Sequence, residues 1–112
     1  MAFINSFEGK DVVCIAGRID GTGTASITSG EGFSLTDSGT GDYLITFDRA
    51  FDSLVAVVAT PLTADVNTQV GTITHADGTI GPSIQFLGFD DTDGTTAKDT
   101  DFSFITLWQV DT

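Results

Sequence analysis

The sequence predicts an all-β fold: an antiparallel, jelly-roll-like β-sandwich of about eight strands with nearly no helix. Three observations lead there. Phe33 and Leu35, then Tyr43, Ile45 and Phe47, recur at every second residue, the period of a half-buried strand. No stretch holds a 3.6-residue apolar period between caps. Gly, Thr, Ser and Asp break the chain every eight to twelve residues or so, the spacing of sandwiches and barrels.

Taken in order, the strands are expected at about 12–19, 24–28, 32–36, 43–47, 54–60, 69–74, 83–89 and 102–110. Residues 1–10 read as an N-terminal arm or an edge strand, with Phe3, Ile4 and Phe7 making it apolar. Ser38-Gly39-Thr40-Gly41 supplies a long polar turn between the third and fourth strands, since these residues tolerate turn geometry. Residues 90–101, DDTDGTTAKDTD, read as a polar loop. At 112 residues the chain has the usual size of one domain, taken here as 1–112.

Several strands are apolar on both faces. Val55, Val57 and Ala59 alternate with Leu54, Ala56 and Val58; Val12 and Cys14 alternate with Val13 and Ile15; Phe102 and Phe104 alternate with Ile105 and Leu107. In a two-layer sandwich only one face of a strand meets the core, so the other should be polar. Such faces are covered either by loops or by another copy of the chain, and the expectation is another copy.

Composition narrows the function. Sixteen carboxylates against four Lys and Arg give a formal net charge of −12. Phosphate backbones need clustered cations, so nucleic acid is excluded as a partner, and an anionic membrane surface likewise. Fourteen of the acids are Asp, a residue of turns and loop ends, so the excess should sit on solvated loops. No apolar run approaches the roughly 18 residues of a membrane span. The amino terminus lacks the basic and apolar regions of a secretory signal, and no signal peptide is expected. The single Cys14 allows no intramolecular disulfide and is expected to be a buried, inert thiol in a reducing cytoplasm.

No motif carries catalysis, and the chain is not expected to be an enzyme or to hold a cofactor. Asp90, Asp91, Asp93, Asp99 and Asp101 are weak candidates for calcium; with Gly94 at the loop's glycine position the first and twelfth ligand positions fall on Phe89 and Thr100, so the EF-hand pattern fails. His75, in THADGT, lacks a second histidine or any cysteine spacing and reads as a turn residue. Gly21-Thr22-Gly23 and Gly39-Thr40-Gly41 have neither the lysine nor the glycine spacing of phosphate loops. Tyr43 and Trp108 are the candidates for a sugar-stacking platform, against the alternative that they pack in the interior or between subunits.

The stretch GEGFSLTDSGTGDYLITFDRAFDS followed by LVAVVAT resembles a module of bacteriophage fibre and appendage proteins and related bacterial proteins. Its pattern is a Gly-x-Gly-Phe strand, a Gly-x-Gly-x-Tyr-x-(Ile/Val)-x-Phe strand, an aromatic residue and a β-branched strand ending in Thr. Gly30, Gly32, Phe33, Gly39, Gly41, Tyr43, Ile45, Phe47, Phe51, Val57 and Thr60 fit it, while Ser53-Leu54 stands where the module often has a proline. The closing DTDFSFITLWQV is loosely similar to the last strand of trimeric jelly rolls of the complement-subcomponent and tumour-necrosis-factor class. These resemblances imply a homotrimer on a virion surface, assembled in the host cytoplasm. The expected role is a capsid decoration (cement) protein or small fibre head that binds the major capsid protein or another virion protein. Phe3, Ile4 and Phe7 are the expected contacts. The alternative is a carbohydrate-binding receptor-recognition head using Tyr43 and Trp108.

Overall fold

The computed structural model describes residues 2–7, 10–74 and 81–111, with side chains described for 11–74 and 81–110. Among these residues nine strands carry the fold: β1 (Ala2–Phe7), β2 (Lys10–Asp20), β3 (Ser26–Gly30), β4 (Phe33–Gly39), β5 (Asp42–Phe47), β6 (Ser53–Pro61), β7 (Val66–Thr74), β8 (Ser83–Asp90) and β9 (Phe102–Asp111). Among the described residues there is no helix. All eight strands expected from periodicity are present, and β1 is the ninth.

The strands form two antiparallel sheets. In the first, β1, β2, β9 and β6 lie in that order, with β3 also paired to β2. In the second the order is β4, β5, β8, β7. β2 runs along β9 over ten residue pairs, from Lys10 opposite Asp111 to Ile19 opposite Phe102, so the beginning and end of the chain close against each other. That closure is compatible with jelly-roll winding. The turn between β4 and β5 is tighter than expected: β4 extends to Gly39 and β5 starts at Asp42, leaving Thr40 and Gly41 as the loop. Asp37 makes this feasible by accepting the Gly39 N–H at 3.0 Å, and Gly39 and Gly41 take positive φ of 132° and 63°.

Alternation in each strand sends one set of side chains between the layers. Val13, Ile15 and Ile19 from β2, Phe102, Phe104 and Trp108 from β9, Tyr43, Ile45 and Phe47 from β5, and Ile84 and Phe86 from β8 are all buried there. Aromatic rings dominate. Trp108 stacks on Phe51 at 4.5 Å and meets Phe47 edge-on at 5.0 Å, while Phe86 packs on Phe102 and Phe104 at 5.4 and 5.2 Å. Phe51 lies in the β5–β6 connection and still reaches the core, which explains why an aromatic follows the Asp-Arg-Ala link.

Two polar groups enter this core with their hydrogen bonds complete. The Thr106 hydroxyl donates to the Ile15 carbonyl at 2.8 Å and accepts the Trp108 indole N–H at 2.8 Å. The Tyr43 hydroxyl lies 3.0 Å from the Gly21 carbonyl and 3.2 Å from Asp99 Oδ1, two acceptors for its one proton, and accepts the Thr100 N–H at 3.1 Å. Tyr43 thereby ties the β2–β3 connection, 21–25, and the acidic loop to the centre of the second sheet.

Candidate functional site

The two outer faces of the sandwich differ sharply in chemistry. On the first sheet the registers of β2, β9 and β6 place outward residues in four middle rows: Val12, Gln109 and Ser53; Cys14, Leu107 and Ala56; Ala16, Ile105 and Val58; Arg18, Ser103 and Thr60, with Lys10 opposite Asp111 at one end and Asp20 at the other. The two middle rows are wholly apolar, and none of the four carries a carboxylate although the chain has sixteen. Val58 is 55% exposed and Ile105 44%; Val55, in the bulge between Leu54 and Ala56, adds a third open apolar side chain. At about 4.8 Å between strands and 3.4 Å per residue, the two apolar rows cover about 200 Å², and Val12 in the adjoining row is buried. β1 extends the sheet, with Ile4 in register with Val12 and Ala2 with Cys14.

Cys14 lies on this face and is half-buried, which corrects the expectation of a core thiol. β2 presents Val13 and Ile15 to the core, so the intervening residue must face out. The side chains of Phe3, Ile4 and Phe7, expected to make partner contacts, lie outside the described residues; only their backbone register along β2 is defined.

The outer face of the second sheet is polar. Ser38, Asp42, Leu44, Thr72, Thr74 and Gln85 line a groove of about 250 Å³ across β4, β5, β8 and β7. Gln85 is held at both ends: its Oε1 accepts the Thr72 N–H at 3.0 Å and its Nε2 donates to Asp42 Oδ1 at 3.0 Å. β7 bulges between Val70 and Ile73, and Gly71 leaves the space that Gln85 occupies, because a Cβ there would stand 2.5 Å from Gln85 Oε1. Near the other end of the sandwich, Ile15, Glu31, Gly32, Asp48 and Arg49 line a more apolar pocket of about 280 Å³.

Four of the five carboxylates proposed for calcium accept hydrogen bonds within the protein. Asp90 Oδ1 accepts the Thr92 N–H and hydroxyl at 2.9 and 2.7 Å. Asp93 takes the N–H groups of Thr95 and Thr96 and the Thr96 hydroxyl. Asp99 binds the Gly41 N–H at 2.9 Å, and Asp101 the Gly21 N–H at 3.1 Å. The Thr96 hydroxyl, followed by the backbone N–H groups of Thr96 and Thr95, lowers the Asp93 carboxyl to about 2. The Thr92 N–H and then its hydroxyl lower Asp90. Among the described residues no group of three or more His, Cys, Asp or Glu is placed to hold a metal ion.

Tyr43 and Trp108 are both fully buried. No ring face of either is open to a sugar, which removes the stacking platform and favours the interior role weighed against it. Burial foremost, with the nearby Asp99 charge adding to it and the N–H from Thr100 opposing, pushes the Tyr43 hydroxyl up to about 12. His75 lies outside the described residues.

The chain is thus an antiparallel β-sandwich with one apolar and one polar outer face. No family model, curated protein or solved structure matches it.

Proposed function

We propose that the chain is a bacteriophage virion structural protein on the particle exterior, a capsid decoration protein or small fibre head that acts by binding as a homotrimer with jelly-roll winding. The observation that carries this reading is the pair of apolar rows at the middle of β2, β9 and β6, set within four rows that hold no carboxylate. A copy with a net charge of −12 meets another at lowest electrostatic cost where neither presents a carboxylate, and there apolar burial supplies the attraction. The placement on a virion rests on the fibre-module resemblance between Gly30 and Thr60. In that setting the first sheet faces other copies, and the strand β1 at its edge, carrying Phe3, Ile4 and Phe7, faces the major capsid protein or another virion component. A decoration protein of this kind stabilises the shell by mass action, binding the assembled lattice better than free subunits.

The test is light scattering coupled to size exclusion on the full chain. A trimer that becomes a folded monomer on Val58→Asp with Ile105→Asp is the expected result. A wild-type chain that stays monomeric at every concentration overturns the trimer.

A further inference from the structure

We propose that the polar groove on the second sheet binds a neutral saccharide. It is a different place from the Tyr43 and Trp108 platform, and it lies on the opposite layer from the assembly face, so it does not depend on the trimer.

Its lining suits a polyol. Asp42 offers a carboxylate and Gln85 an amide, joined by one hydrogen bond, and Ser38, Thr72 and Thr74 add hydroxyls. Each amide end of Gln85 has used one bonding position, Nε2 on Asp42 and Oε1 on Thr72 N–H, leaving a second donor and a second lone pair. A carboxylate with an adjacent amide matches the paired hydroxyls of a sugar ring, since each hydroxyl both donates and accepts. Leu44 provides an apolar floor for the ring's C–H surface. Both polar groups are held before any ligand arrives, which lowers the ordering cost of binding.

Charge selects the class. Among the described residues no cation lines the groove, and Asp42 lies within it on a protein of net charge −12. Phosphorylated and carboxylated ligands are therefore repelled, leaving uncharged sugars. A trimer built on the first sheet would present three such grooves outward and strengthen binding to a repetitive glycan through multivalency.

The test is a nuclear magnetic resonance titration of the ¹⁵N-labelled full chain with glucose, galactose, mannose and N-acetylglucosamine and their short oligomers, with sialic acid as the anionic control. We expect at least one neutral sugar to shift the backbone amides of 38–44, 71–74 and 85, and sialic acid to shift none. Asp42→Ala and Gln85→Ala should each weaken that binding by about tenfold or more, as expected for loss of a charge-assisted or pre-formed hydrogen bond. Gly71→Ala is the sharper variant: it removes no polar group, yet its Cβ displaces the Gln85 amide and should also abolish the shifts. Absence of shifts with every neutral sugar, shifts mapping to the first sheet, or binding unaltered in folded Asp42→Ala and Gly71→Ala proteins would each overturn the proposal.

Discussion

Thr106 and Tyr43 are the two side chains whose chemistry can be read most directly. Thr106 is fully buried and bridges the Ile15 carbonyl to the Trp108 indole. Thr106→Val keeps the shape and removes both of these hydrogen bonds, so urea unfolding should show a loss of about 1–3 kcal/mol; a loss near zero would mean that water replaces the hydroxyl. Tyr43 is the only tyrosine, so its ionisation can be followed by ultraviolet absorbance without overlap. Its folded pKa, raised to about 12, exceeds the ordinary value of 10, so the neutral phenol is the form that folding favours. The stability from this difference is fully present below pH 10 and is lost as pH rises through 12. Phenolate absorbance should therefore appear near pH 12 or together with unfolding, and titration near 10 in a folded chain would contradict the buried hydrogen-bonded site. The burial of Tyr43 and Trp108 was legible from their neighbours, since Tyr43 shares a face with Ile45 and Phe47 and Trp108 with Phe102 and Phe104. The exposure of Cys14 was not, because in an alternating run such as VVCIAG either phase could have faced the core.

Turns and edges decide what each element can tolerate. Gly23 and Gly41 have the same φ of 63°, but they differ in surroundings. A Cβ at Gly23 meets open space, whereas one at Gly41 would stand 2.6 Å from the Gly88 carbonyl and 2.8 Å from that of Lys98. Gly23→Ala should cost only the left-handed backbone penalty of about 1–2 kcal/mol. Gly41→Ala must also separate β5 from β8 and the acidic loop, and should cost clearly more; equal melting temperatures for the two variants would show that this junction yields easily. The acidic loop is held by its own Asp to N–H bonds and by a Phe89 to Ala97 bridge, so calcium and chelator are expected to give the same melting curve. A rise in melting temperature with calcium would reinstate Asp90, Asp91, Asp93, Asp99 and Asp101 as ligands. The eight periodic strands were legible because alternation and turn residues agree. The short β4–β5 loop was missed because the Asp37 side chain, which accepts the Gly39 N–H, lets a polar stretch continue as strand. The groove was illegible for another reason: Asp42, Thr72 and Gln85 come together only through the pairing of β5, β8 and β7, which no local pattern reports.

At the scale of the molecule, the same net charge of −12 that keeps free copies apart makes their association diagnostic of the surface they use. Interfaces built on opposite charges weaken as salt rises, because screening removes the attraction. An interface on the four middle outward rows of β2, β9 and β6 has no carboxylate to pair, and Arg18 is the only charged residue in those rows. Its attraction is apolar, and its electrostatic term is the repulsion between whole copies. Raising ionic strength from about 0.01 M to about 0.1 M shortens the Debye length from about 30 Å to about 10 Å, which relieves that repulsion and leaves the apolar burial intact. Dilution series followed by light scattering should therefore show tighter association at the higher salt, with Cys14 becoming less reactive to a soluble thiol reagent as the oligomer forms. Association that loosens with salt, or a thiol equally reactive in monomer and oligomer, would place the contact on charged loops instead and leave the apolar face for a different partner.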